Sequence, residues 1–329
     1  MTKTVFVIGA GASTEFGPGM PIGSELAEAI ELQLDHELVH GRAGPISDAL
    51  RMRGFDSADT AAMQRVRDGI VTKESIDDFV EEWRDFPKIS DVARVAISHA
   101  ILEGESHTLW GNVAAGLETP QSVLRKTRTS WLGQILRFHN GRSSRRSFAQ
   151  TMGDIGFVVF NYDRLVEYHL YHHLTVGLGV GQEEAREVLN SFPIIHVYGA
   201  IGSLPELGGD QPFGKSSPRT LLNSSKMIRT YTDAVESLTG ERILNLVSSA
   251  HRVVFLGAAY HPLNISILFP NNTQFDQPTS PEIFGTLFGM RGPKQANISA
   301  KFSNPYKPLR LADLKAGAFI DNFQDDLFA

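Results

Sequence analysis

Val5-Phe6-Val7-Ile8-Gly9-Ala10-Gly11-Ala12-Ser13 is an apolar, mostly β-branched run that breaks into two glycines one residue apart. With no polar residue alternating through it, the run reads as a strand buried on both faces, and the glycines as the tight turn that releases the chain. Three more segments have the same character: Phe157 to Phe160, Ile194 to Val197 and Arg252 to Leu256. Each ends in Gly, Asn or a His-containing turn. Strands buried on both faces need helices on both sides. The expected fold class is therefore α/β: a doubly wound, mostly parallel Rossmann-like sheet whose ligands bind beyond the carboxyl ends of the strands.

Roughly 145 residues separate the first strand from the second, where a plain βαβ unit needs about 30. That stretch has almost no strand signal, so a helical insertion is expected at residues 31-153, within a Rossmann domain formed by residues 1-30 and 154-329. Its clearest helix opens at Ser75, with Asp78 as a capping-box partner and Ile76, Phe79, Val80 and Trp83 on one face. Another is expected from Ser24 to Leu38, with Leu26, Ile30 and Leu34 spaced by fours behind a Ser24 cap. More helices are expected between Asp91 and Phe138. Arg42 to Thr72, rich in Gly, Asp and Arg, reads as the mobile part, and Gly202 to Pro218 as a long loop that could serve as a lid.

Composition narrows the function. Of 329 residues, 42% are apolar and 21% charged, enough for a sizeable core. The net charge of −6 disfavours nucleic acid as a partner. With no cysteine there is no disulfide, zinc ribbon, iron–sulfur cluster or thiol nucleophile. The apolar stretch before Gly9 is too short for a signal-peptide core, and no apolar run approaches the ~18 residues of a membrane span. A cytoplasmic protein with no membrane contact is expected.

Gly9-Ala10-Gly11-Ala12-Ser13 sits between a strand and a helix, where glycines let backbone amides approach a pyrophosphate. The third glycine of GxGxxG is replaced by Thr14, and no acidic residue ends a second strand about 20 positions on, which disfavours a dehydrogenase. Alternatively, the turn is only a strand-to-helix connection. Asn161 and Asp163 follow the second strand, in positions that also suit a helix cap. His196 and Tyr198, with Gly199 after them, share one side of the next strand, since alternate residues face the same way; a core histidine is the competing reading. Gly257, His261 and Asn264 follow the last apolar strand.

Together these segments resemble the sirtuin-like NAD-consuming family, in particular its bacterial antiphage-defence branch. The glycine turn followed by Ser13, the Phe160-Asn161-Tyr162-Asp163 strand end, the His196 to Gly199 segment and Phe255-Leu256-Gly257 carry the likeness, together with Ser75-Ile76-Asp77-Asp78-Phe79 and Phe284-Gly285-Thr286. Two departures stand out. Sirtuin deacylases carry a four-cysteine zinc module and an acidic-Phe-Arg segment after the glycine turn, whereas this chain has no Cys and Met20-Pro21-Ile22-Gly23 there. The family's catalytic histidine directly precedes glycine, where this chain has Tyr198, and His196 stands two residues earlier.

The resemblance implies cleavage of the nicotinamide–ribose bond of NAD to nicotinamide and ADP-ribose. Asn161 would hold a water and the ribose hydroxyls, and His196 would take up a proton as a base near neutrality. NAD, as substrate or ligand, would contact Gly9, Ala10, Gly11, Ala12, Ser13, Asp163, Tyr198, Gly199, Gly257, His261 and Asn264. No metal is called for. His169, His172 and His173 have helical spacing but only Glu167 beside them. The insertion is expected to supply no catalytic side chain.

Rival readings are a non-catalytic sensor of NAD or ADP-ribose, with Tyr198 marking lost catalysis, and transfer of ADP-ribose to a macromolecule. Arg125, Lys126, Arg128, Arg137, Arg142, Arg145 and Arg146 form a stretch free of acidic residues. It reads as a solvated face or as a contact for a polyanion, an activating protein partner or a second copy in a homo-oligomer.

Overall fold

The structure is a computed structural model and describes residues 4–41, 43–73, 75–142, 153–236, 238–270 and 277–328. Six strands form one sheet: β1 (Thr4–Ile8), β2 (Ile155–Val159), β3 (Ile194–His196), β4 (Arg252–Leu256), β5 (Glu282–Thr286) and β6 (Arg310–Ala312). Their order is β3-β2-β1-β4-β5-β6, and every neighbouring pair is parallel. β1 sits at the centre, with β2 on one side and β4 on the other. The chain thus reverses its direction of travel across the sheet at β1 and β4, the switch point where an open α/β sheet leaves a crevice beyond its carboxyl ends.

Alternation along the strands sorts the core. Val5, Val7, Val158, Val253 and Phe255 face one layer, while Phe6, Ile8, Phe157, Val159, Val254 and Leu256 face the other. Both layers are buried, which is why the strands carry no polar alternation. The expected strands are present with boundaries moved by a residue or two; Phe160 and Val197 lie just outside β2 and β3. β5 and β6 were not expected as strands. Gly285 interrupts the apolar run of the first, and the second is only Arg310-Leu311-Ala312.

The first helices after β1 are α1 (Ala10–Ser13), α2 (Gly23–Val39), α3 (Pro45–Met52), α4 (Thr60–Ile70), α5 (Ile76–Glu82) and α6 (Pro87–Ser106). The stretch expected to be mobile, Arg42 to Thr72, is largely α3 and α4, where Ile46, Ala49, Leu50, Met63, Val66 and Ile70 are buried. Their apolar residues sit at helical spacing, and burying them outweighs the Gly and Asp of the connecting turns. Helices at Leu109–Ala114, Pro120–Lys126 and Trp131–Arg142 complete the expected set.

The insertion has no core of its own. α2 runs through positions 30 and 31, the α2–α6 residues share the layer of Val5 and Val7, and Trp110, Trp131 and Leu132 share that of Phe6 and Ile8. The Gly202 to Pro218 loop is not poised as a lid. Arg164, buried beside Glu105 of α6, donates to the carbonyls of Gln211 and Pro212, and the Gly214 amide donates to Glu105. Arg125, Lys126, Arg128 and Arg137 are exposed, with Lys126 paired to Glu118, while Arg145 and Arg146 and the side chain of Arg142 lie outside the described residues. No helix among the described residues is long and apolar enough to cross a membrane.

Candidate functional site

The glycine turns after β1 and β4 are packed backbone to backbone. Gly9 donates to the Leu256 carbonyl at 2.9 Å and Gly11 to the Gly257 carbonyl at 3.1 Å. Gly257 is left-handed (φ 60°), and a Cβ on it would stand 2.0 Å from the Ala12 nitrogen. Thr14, in place of a third glycine, turns its hydroxyl back to the Gly11 carbonyl. The helix behind the turn is only Ala10–Ser13, followed by a 3₁₀ turn at Thr14–Phe16. The glycines therefore serve close packing of two strand ends, and the Gly9, Gly11 and Ala12 amides are all used internally.

Beyond these turns lies a cavity of about 620 Å³, within the range of small-molecule sites. Gly9, Ala10, Gly11, Asn161, Gly257, His261 and Asn264 line it, bringing together residues from the ends of β1, β2 and β4. The chain after β4 is turned back by Gly257 and by Tyr260, whose left-handed backbone (φ 57°) is held as its hydroxyl donates to the Thr286 carbonyl. Ala12, Ser13, Asp163, His196, Tyr198 and Gly199 do not reach the wall.

Several of those residues stand directly behind it. Asn161 Nδ2 donates to Ser13 Oγ at 2.8 Å, and Ser13 Oγ donates to Asp163 Oδ2 at 2.9 Å. Asp163 also accepts the Leu165 amide, as a cap does. Burial raises its pKa to about 6, partly opposed by these hydrogen bonds. Tyr198 donates its hydroxyl to Asn264 Oδ1 at 2.7 Å, and burial pushes its pKa up. Tyr198 thus orients a cavity amide and is no base.

His196 departs from its expected role. Nδ1 is 2.9 Å from the Asn161 carbonyl and Nε2 is 2.6 Å from Glu167 Oε1. Both partners are acceptors, so both ring nitrogens donate and the ring is an imidazolium with no lone pair for base work. Burial alone would lower its pKa, but the charge and hydrogen bond of Glu167, with the Asn161 carbonyl, raise it above the ordinary value. Glu167 is itself held low: burial opposes this, but the charge and hydrogen bond of His196, with a backbone hydrogen bond and the charge of Arg164, together outweigh it. The pair fixes the backbone of Asn161 from behind.

A stability test follows. A raised histidine contributes fully below its unfolded pKa of about 6.5 and loses the contribution as pH rises through the folded value. A lowered glutamate contributes above about 4.3 and loses it as pH falls. The pair is therefore worth most between roughly pH 4.5 and 6.5. Glu167→Gln should cost about 1.5–3 kcal/mol at about pH 5.5 and distinctly less at about pH 9 in denaturant unfolding. Equal losses at both pH values would contradict the charged pair.

The insertion also reaches the cavity. Ser75 and Asp77 line it at the start of α5. Ser75 caps that helix by accepting the Asp77 amide, and its hydroxyl bonds Asp77 Oδ2, not Asp78 as the spacing suggested. Tyr162, next to Asn161, donates its hydroxyl to Asp77 Oδ1. Asp78 lies 3.4 Å from His261. The expectation that the insertion stays out of the chemistry thus meets a carboxylate in the cavity wall. The advance signals are the likeness of Ser75-Ile76-Asp77-Asp78-Phe79 to the family and a pair of acids in the first turn of an amphipathic helix, a pattern that helix capping explains equally well.

Of the three clustered histidines, His169 is buried in the core and His172 and His173 are half-buried. His169 accepts from the Trp110 indole, His172 stacks on Trp110, and burial lowers the pKa of His169 to about 3 and of His172 and His173 to about 4. Compared with protein-family models, with curated proteins and with solved structures, the chain matches none.

Proposed function

We propose that this chain binds NAD in the cavity at the switch point and hydrolyses its nicotinamide–ribose bond, as a cytoplasmic, sirtuin-like enzyme of the antiphage-defence type that needs no metal. The observation that carries the proposal is the convergence of Asn161, both glycine turns and the His261–Asn264 segment on one cavity of about 620 Å³. Positive charge grows on the ribose as nicotinamide leaves, so the site needs an amide to hold water and sugar hydroxyls more than it needs a strong nucleophile. Asn161 supplies that amide, and Ser13 holds it in orientation. Asn264, fixed by Tyr198, supplies a second amide across the cavity. His196 positions Asn161 through its carbonyl.

The commitment of both His196 nitrogens favours a second reading, a sensor that holds NAD or ADP-ribose without cleaving it. Incubating the purified chain with NAD and measuring free nicotinamide separates the two. Release is expected. Binding of ADP-ribose with no release, even with candidate activators present, would make the chain a sensor, and no binding of either nucleotide would end both readings.

A further inference from the structure

We infer that Asp77, which the helical insertion carries into the cavity, accepts the proton of the attacking water; this rests on the hydrolase reading above. With His196 doubly bonded as a donor, the reaction lacks the base expected of it. Among the described residues, three carboxylates line the cavity: Glu15, Glu25 and Asp77. Glu15 accepts the Trp131 amide on Oε2 and the Gly317 amide on Oε1, tying the first turn to two helices. Glu25 is exposed and accepts the Ile22 amide at the start of α2. Asp77 instead shares the cavity wall with Asn161, the amide expected to hold the water, and its Oδ1 is bonded by Tyr162, the chain neighbour of Asn161. Each of its oxygens accepts one hydroxyl, from Tyr162 or Ser75, and a carboxylate oxygen has a second lone pair to offer.

The surroundings suit the task. Burial raises the Asp77 pKa to about 6, with Asp78 adding to the rise, while Tyr162, Ser75 and His261 pull it down. The charged and titratable groups facing it are Tyr162 after β2, Tyr198 after β3, His261 after β4 and Asp78 on its own helix, with Arg94 of α6 acting on Tyr162. A base that titrates near neutrality can hold a proton in the transition state and return it to solvent afterwards. In the step itself, the water oxygen bonds to the ribose carbon as the carbon–nitrogen bond breaks. That bond's electron pair goes to the nicotinamide ring nitrogen, which loses its positive charge, and the water proton passes to the Asp77 carboxylate. Atoms and charge balance with NAD and water alone.

The test is the pH profile of nicotinamide release by the wild type and by Asp77→Asn, Tyr162→Phe and His261→Gln. Wild-type release should rise through about pH 6 and level off above it. Asp77→Asn should lose about 10²-fold or more together with that rise, while still binding ADP-ribose in a thermal-shift titration, which shows the fold and cavity intact. Tyr162→Phe should move the rise to higher pH, since the Tyr162 hydroxyl lowers the Asp77 pKa. His261→Gln should keep the rise, moved to higher pH by less than in Tyr162→Phe, since His261 is the smaller of the two influences that lower the Asp77 pKa. Activity of Asp77→Asn within about threefold of wild type, or transfer of the pH effect to His261→Gln, would overturn the inference and leave the hydrolase reading standing. A wild type that releases no nicotinamide would overturn both.

Discussion

Asn161→Ala should lower nicotinamide release by about 10²–10³-fold, the scale of removing one preorganised polar group from a reacting centre. The size of the effect follows from how the amide is held. The residue is buried at 8% exposure, its Nδ2 is committed to Ser13, and Ser13 is committed to Asp163. Its backbone carbonyl is gripped by His196, and His196 by Glu167. Nothing has to reorganise when the ribose charge develops, so little of the benefit is spent on ordering the amide. Ser13→Ala should lose less than Asn161→Ala, because it frees the amide without removing it. Single-turnover assays on the three proteins check the order. If Ser13→Ala is as damaging as Asn161→Ala, the amide matters only as a packing element.

Gly257→Ala should fail to fold or lose more than about 4 kcal/mol, a cost confined to a few mechanisms such as backbone strain joined to a clash. A left-handed backbone costs an ordinary residue about 1–2 kcal/mol. The methyl group would also stand 2.0 Å from the Ala12 nitrogen and 2.5 Å from the Gly11 carbonyl carbon, both backbone atoms that cannot swing away. Relief would require parting the turns after β1 and β4, and with them the floor of the cavity. Gly9→Ala meets the same wall from the other side, 2.5 Å from the Gly257 oxygen. Gly23→Ala is the control: it begins α2, borders the cavity and has nothing within 4 Å of its would-be Cβ. Thermal unfolding should place Gly23→Ala at or above wild type and the other two far below. A wild-type melting point for Gly257→Ala would show that the turns do not pack as described.

The glycine turn also shows how one motif can have a place that the sequence marks and a structural use that it does not. Gly9-Ala10-Gly11 marked the centre of the sheet and the edge of the cavity. Its glycines read as room for a pyrophosphate, and in the structure they make room for another strand end. No local pattern distinguishes these uses, since the partner backbone lies some 250 residues away in the chain.

The α/β class, four of the strands and the amphipathic faces of α2 and α5 were legible because each depends on local periodicity: unbroken apolar runs for strands buried on both sides, and a 3.6-residue repeat for helices. The helicity of Arg42 to Thr72 was hidden because Gly, Asp and Arg interrupt it throughout and its apolar residues are dispersed between two short helices. Asn161, Gly257, His261 and Asn264 could be placed around one cavity because strand ends in this architecture converge. The fates of His196 and Asp77 could not. Whether a histidine is a base or a buried cation depends on which atoms face its two nitrogens, here a carbonyl 35 residues away in sequence and a carboxylate 29 away. Whether an acid at a helix start is a surface cap or a cavity wall depends on where the whole helix docks. Packing of α5 beside Tyr162 set that for Asp77, because long-range contact, and not the residue or its neighbours in the chain, sets the solvation that gives an ionisable group its chemistry.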